Sequence, residues 1–304
     1  MESIIFQIDG GIGKNVVATA VVRAINKKYP DKKIVIVTAY SDVWTCNPRV
    51  HRVIQFGQQN YFYNDFVEDK NTLFFLQEPY KHQDYIYNRK HLTELWCDLC
   101  GVEWDGEKPE LYFTNLEYDF VADTIKKDKP IFLVQPFGGA QNQQHKYSWA
   151  RDIPPQVAQD VVNHMRKDYR VIQVRREDQI ALDGAEYLSL NPRFLALSIL
   201  MSDKRLFIDS YMQHAAAALN QPSTVLWIAN SPNVLGYTLH NNIQAKFQYG
   251  SLKTAMYDPY DILGDPIQLA TPPTGLFKSD DIIAALTTER STMTFTDGMQ
   301  NMEI

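Results

Sequence analysis

The chain has 304 residues, 45% apolar and 22% charged, a soluble globular composition with length enough for two domains that each bury a core. Its 30 Lys and Arg against 36 Asp and Glu leave a net charge of −6, and its densest basic runs are only the pairs Lys126-Lys127 and Arg175-Arg176. Nucleic acid is therefore not expected as a partner, because phosphate neutralisation needs clustered cations. No apolar run approaches the roughly 20 residues of a membrane span, so no transmembrane segment is expected. A strand begins almost at once, which leaves a signal peptide no room. Cys46, Cys97 and Cys100 are too few, and odd in number, for a disulfide scaffold. A cytoplasmic location is the expectation.

Strand and helix signals then alternate, the pattern of parallel sheets with crossover helices. Ile4–Ile8 is apolar and reads as the first strand. Val16–Tyr29 carries apolar residues at helical spacing and stops at Pro30. Lys33–Ala39 reads as a strand buried on both faces, followed by a short helix over Asp42–Cys46. Strands are expected at Val50–Phe56, Thr72–Leu76 and Leu111–Phe113, and helices at Asn88–Cys100, stopped by Gly101, and at Leu116–Lys127. The charged stretch at 128–130 ends in Pro130 and reads as an interdomain linker. The cycle then restarts. Strands follow at Ile131–Gln135, Arg170–Val174, Arg205–Asp209 and Ser223–Ile228, with helices at Pro154–Lys167, Pro192–Met201 and Met212–Leu219. Two tandem α/β domains, 1–129 and 130–278, suggest a ligand cleft. Ser279–Glu289 has acidic residues in its first turn and reads as a last helix, and 290–304 is a patternless polar tail expected to be loosely ordered.

The first βα turn, IFQIDGGIGKN at 5–15, has the layout of a phosphate loop. A Walker-type loop needs a leading Gly and a Ser or Thr after its Lys. Here those places hold Ile8 and Asn15, and the leading Lys of a variant loop is replaced by Asp9. A carboxylate there repels a triphosphate, and an amide is a poor Mg²⁺ ligand. The plainer reading is a tight strand-to-helix turn that needs glycine only for its backbone.

Further pieces change that balance. GGIGKNVVATAVVRAINKKYPDKKIVIVTA at 10–39, NPRVHRVI, HLTELWCDLCGV, KPELYFT, QPFGG at 135–139, HKYSW at 145–149 and IDSYMQHAAAALNQPSTVLW at 208–227 occur in one order. In that order the chain resembles the ADP-heptose:lipopolysaccharide heptosyltransferase-like family, glycosyltransferase family nine. The resemblance covers about residues 3 to 289 and implies a GT-B fold: two tandem Rossmann-like domains with parallel sheets facing a central cleft, and a last helix that crosses back onto the N-terminal domain. It implies transfer of a sugar from an ADP-heptose-like nucleotide-sugar to a glycan or lipid-linked acceptor, with transient membrane-surface contact compatible with the latter. No cofactor is implied, the nucleotide-sugar being substrate, and no metal. The absence of a D-x-D pair is consistent with that.

The same resemblance implies site residues. Donor binding falls to Gly138 and Gly139, where backbone approaches ligand, to Lys146 at the donor phosphates or sugar, and to Glu177 at the ribose. It falls also to Asp209 at the sugar hydroxyls, to the helix start at Ser210, Tyr211 and Met212, and to His214. A helix start suits a diphosphate, since its first N–H groups lack intrahelical partners. Plainer readings stand beside several of these: a solvated Lys146, a charged run around Glu177, a satisfied core His214.

Gly10, Gly11 and Gly13 form the acceptor-side loop, after which the family typically has an Asp as base. This chain has Lys14. An ordinary lysine is protonated at neutral pH and cannot serve. Three explanations stand open: Asp9 supplies the carboxylate, Lys14 binds an anionic group in different chemistry, or the protein binds sugar nucleotides without turnover. A deviant P-loop ATPase is the remaining alternative. Elsewhere, Cys97 and Cys100 fall late in a helix and read as packing residues, since redox pairs sit at helix starts. Glu78, Tyr80 and His82 follow a strand and are possible cleft residues. Tyr61, Phe62, Tyr63 and Phe66 read as core, a lid or a sugar-stacking surface. Ser231, Pro232 and Asn233 stand where they can reach a donor base.

Overall fold

The computed structural model describes residues 2–58, 60–138, 151–228, 230–245 and 275–288. These form two compact units, one from the N-terminus through Thr114 and one from Asn115 onward.

The first unit holds strands β1 (Ser3–Ile8), β2 (Lys33–Thr38), β3 (Arg52–Gln55) and β4 (Thr72–Phe75), all parallel in the order β3-β2-β1-β4. Helix α1 (Ile12–Lys28) follows β1; α2 (Phe62–Phe66), α3 (Gln83–Ile86) and α4 (Leu92–Leu99) lie around β4 in sequence. Side chains alternate across a strand, so β1 presents Ile5 to one face, where Val35, Val37, Ile54 and Phe66 complete a core. Phe6 points the other way and meets Trp96 of α4 edge-on, with ring centroids 5.3 Å apart. Burial on both faces is why β1 and β2 read as continuous apolar runs.

The second unit begins with α5 (Asn115–Ile125) and carries β5 (Ile131–Val134), α6 (Pro155–Met165), β6 (Arg170–Val174), β7 (Glu186–Leu188), α7 (Pro192–Met201), β8 (Lys204–Ile208), α8 (Tyr211–Ala218), β9 (Thr224–Trp227), α9 (Pro232–Leu235) and β10 (Asn241–Gln244). Helix α10 (Ser279–Thr287) closes the described residues. The parallel sheet runs β10-β9-β8-β5-β6-β7. Its first strand is therefore central, and the winding reverses between β5 and β8. In such sheets, ligands bind in the crevice beyond the carboxyl ends of the strands at that reversal. The first sheet reverses in the same way between β1 and β4.

Several sequence expectations shift. Helix α1 starts at Ile12, so Gly13, Lys14 and Asn15 lie in its first turn rather than in a loop. Helix α4 starts at Leu92 because the His91 ring nitrogen accepts the Thr93 N–H at 3.3 Å, an N-cap that composition did not advertise. It stops as expected: Gly101 adopts φ 63°, and Val102 N–H reaches back to the Cys97 carbonyl at 2.9 Å. Leu111–Phe113 is not a strand. Its apolar side chains are buried without joining the sheet, which produces the same short apolar signal. Short elements α2, α3, β7, α9 and β10 were not legible.

The unit boundary also falls earlier than the proline at 130. Helix α5 is held to the second unit by a bidentate ion pair from Arg193 Nε and Nη2 to Glu117 at 2.5 and 2.9 Å. Phe120 and Phe194 pack with centroids 5.0 Å apart, and Arg170 Nη1 donates to the carbonyls of Ile125 and Lys126 at 2.5 and 3.0 Å. Helix α10 forms where expected, but Ile282 and Leu286 are part of the second unit's core with Val161, Val162 and Met165 of α6. Its apolar stripe thus belongs to that core, which corrects the expectation that it packs on the N-terminal domain. The tail at 290–304 lies outside the described residues.

Candidate functional site

At the reversal in the second sheet, the segments leaving β5 and β8 meet side by side. Gln135 N–H donates to the Leu206 carbonyl at 2.9 Å, and Ser210 Oγ donates to Gln135 Oε1 at 2.5 Å. Ser210 is the N-cap of α8 in extended conformation, yet its hydroxyl caps no helix N–H. Ser231, the N-cap of α9, shows the contrast: its Oγ accepts the Asn233 N–H at 3.2 Å. With no side-chain cap and no acidic residue in the first turn of α8, the positive dipole end of this helix favours an anion.

Asp209 lies between strand and helix, 8% exposed, and accepts a hydrogen bond from Asn230 Nδ2. Burial pushes its carboxyl above the usual aspartate range, while the nearby Arg151 charge and the Asn230 amide pull it back. Gly138 is packed so closely that an added Cβ would stand 3.1 Å from Ile208 Cδ1 and 3.3 Å from Arg151 Cδ. Its own N–H is taken by Asp152 Oδ1 at 2.8 Å, so packing, not an open amide, explains this glycine.

The remaining donor-side candidates divide. Glu177 is an exposed carboxylate in the turn beyond β6, at the correct end of the sheet. Tyr211 donates its hydroxyl to the Pro192 carbonyl at 2.6 Å, and burial raises its phenol. Met212 is fully buried. His214 is 5% exposed, 2.9 Å from the Tyr237 hydroxyl and edge-on to that ring, the arrangement of a satisfied interior histidine. Gly139 and Lys146 lie outside the described residues. Arg151, Asn230 and Gln135 were not singled out from sequence; each follows a strand or loop whose partner is known only once the sheet order is.

The crevice of the first sheet is built by the β1–α1 turn and the segment after β4. Gly10 has φ 96°, a conformation that strains any other residue, and an added Cβ would stand 3.2 Å from Lys14 Cδ. Gly11 is the helix N-cap, and its carbonyl accepts both the backbone N–H and Nδ2 of Asn15, at 3.3 and 3.2 Å. Asn15 is fully buried; its Oδ1 accepts Thr38 Oγ1 at 2.6 Å and Trp44 Nε1 at 3.2 Å. The residue in the Mg²⁺-hydroxyl place of a phosphate loop is thus an interior tie between α1, β2 and the turn after it.

Lys14 is 4% exposed, with Nζ 2.5 Å from Glu78 Oε2 and 5.1 and 5.2 Å from the ring centroids of Tyr80 and Trp96. Glu78 Oε1 accepts the Tyr80 N–H at 3.1 Å. Asp9 is exposed, with Gln7 Nε2 donating to it at 3.2 Å. The other first-unit candidates have local duties. His82 caps α3, accepting the Asp84 N–H at 3.2 Å. Phe62 and Phe66 belong to the core, while Tyr61 and Tyr63 face outward. Cys97 and Cys100 are buried, and burial pushes the Cys100 thiol up to about 12, as expected of packing cysteines.

No helix among the described residues is long and apolar enough to cross a membrane. No protein-family model matches the chain, and no curated protein matches it in sequence. Solved structures do match. The glycosyl transferase family 9 protein from Veillonella parvula aligns over 93% of this chain and 96% of its own, with TM-score 0.67 and 11% identity. E. coli ADP-heptose lps heptosyltransferase II aligns over 82% of this chain and 91% of its own, with TM-score 0.57 and 13% identity. E. coli heptosyltransferase WaaC with ADP aligns over 80% and 93%, with TM-score 0.53 and 12% identity. With two parallel sheets, each reversing beside its first strand, the chain has the α/β fold of these heptosyltransferase-like GT-B proteins.

Proposed function

We propose that the protein is a glycosyltransferase that moves a sugar from a nucleotide-sugar, ADP-heptose-like in character, to a glycan or lipid-linked acceptor. The observation that carries this reading is the crevice at the end of β5 and β8, where the uncapped start of α8 lies beside Asp209 and Arg151. The helix start and a cation suit the diphosphate, and a carboxylate suits sugar hydroxyls. Glu177, exposed beyond β6, is the ribose-binding carboxylate on this reading. Support also comes from the heptosyltransferases that share the fold, one of which is described with ADP. The reaction proceeds without a metal on this reading, the leaving diphosphate being stabilised by helix N–H groups and cations. Reduced, unpaired cysteines go with a cytoplasmic setting.

A screen of ADP, UDP and GDP sugars by thermal shift, followed by assay of nucleoside diphosphate release with and without EDTA, tests the proposal. ADP-sugars are expected to raise the melting temperature, with turnover unaffected by EDTA. Binding without turnover of any donor would leave the non-catalytic reading, which Lys14 in the place of the usual acidic residue motivates.

A further inference from the structure

The carboxylate that serves the acceptor is left unassigned by that reading, on which the following rests. Two carboxylates follow the strands at the first reversal, Asp9 after β1 and Glu78 after β4. Asp9 is exposed and, among the described residues, is tied by the neighbouring Gln7 amide. Glu78 is held at two points, by Lys14 on one oxygen and the Tyr80 N–H on the other, and its side chain keeps 26% exposure. It is thus both fixed in place and reachable, whereas Lys14, with a 3% exposed side chain, is fixed and not reachable.

We propose that Glu78 is the catalytic base toward the acceptor hydroxyl, and that Lys14 is its positioning residue. The acceptor O–H proton passes to a Glu78 carboxylate oxygen. The acceptor oxygen forms its bond to the sugar's anomeric carbon, and the bond from that carbon to the diphosphate breaks, the diphosphate leaving with the electron pair. Once Glu78 is neutralised, the Lys14 ammonium loses its counter-charge but keeps the faces of Tyr80 and Trp96, whose rings attract a cation. Aromatic walls on a buried lysine are therefore functional: they keep the positioning group in place through a step that removes its partner's charge. Each carboxylate oxygen also retains a free lone pair beyond the contact that fixes it, so positioning does not block proton acceptance.

The test uses the full chain and release of nucleoside diphosphate from ADP- and UDP-activated sugars, with water as the acceptor. Glu78→Gln is expected to lower kcat by about 100-fold or more, with the donor-induced melting shift retained. Asp9→Asn should stay within about threefold, on the same scale. Lys14→Met should lower kcat by about tenfold without raising the donor KM, with the full amplitude of the cooperative melting transition and of its donor-induced shift retained, which general loss of folding would not give. Because Glu78→Gln leaves a buried cation, the double variant Lys14→Met, Glu78→Gln provides a neutral crevice, and it should fold and be equally inactive. Glu78→Gln turning over like wild type, or Asp9→Asn being the inactive variant, overturns the assignment while the transferase reading stands. Wild type that binds donors but releases no nucleoside diphosphate, either to water or to added glycan and lipid-linked acceptors, removes the transferase reading and the base with it.

Discussion

Asp209 and Asn15 illustrate opposite uses of a buried polar side chain. Asn15 makes all of its bonds inside the fold, so Asn15→Ala strips partners from Thr38 Oγ1 and Trp44 Nε1. At roughly 1–3 kcal/mol for each buried group left unmatched, urea unfolding should show a loss of about 2–6 kcal/mol. Asn15→Thr, which restores a phosphate-loop residue on paper, should likewise destabilise and should confer no Mg²⁺-ATP shift. Burial of Asp209 disfavours its charged form. With its folded pKa raised by burial, the folded state binds the proton more tightly than the unfolded one. Its contribution is therefore most favourable below the unfolded value of 3.8 and is lost as pH rises through the folded value. Asp209→Asn should accordingly raise the melting temperature of the ligand-free protein at neutral pH, flatten that limb of the stability profile and abolish the donor-induced shift. A fall in ligand-free stability would show that the carboxylate is structural instead.

Among the elements, α5 and α10 were misassigned for the same reason: an amphipathic helix announces that it has a buried face, not which core receives it. For α5 the answer lies in three contacts with residues 44 or more positions away, above all the Arg193–Glu117 pair. Removing the carboxylate from a buried arginine is costly. Glu117 is partly exposed, so Glu117→Gln should destabilise by about 2 kcal/mol, less than the roughly 3–5 kcal/mol of a fully buried pair. Hydrogen exchange should place the change in α5 and α7. For α1 the shift is smaller and more consequential. A start at Ile12 turns Lys14 from a loop residue into a first-turn residue whose side chain enters the interior beside Trp96. Glycine punctuation signalled the turn but not that the helix already contained Gly13.

At the scale of the whole molecule, the alternation of apolar runs and amphipathic segments was enough for two parallel α/β units, because strands buried on both faces and crossover helices each leave a periodic signature. Strand order left none, and strand order locates the crevices. Hydrogen exchange with and without ADP should therefore show protection at the ends of β5 and β8, around Gln135 and Ser210–Met212, with little change at Gly10–Lys14. Equal protection at both places would contradict a donor site confined to the second sheet. The sequence by itself determined the fold class, the positions of most strands and the list of residues worth watching, since these follow from local chemistry and its period. Only the tertiary structure decided that Asn15 is an interior tie, that His214 is satisfied by Tyr237, that Asn230 reaches Asp209 and that Lys14 is paired with Glu78. Those pairings join residues far apart in the chain, and the free energy that selects them comes from burial and charge compensation that exist only once the sheets have formed.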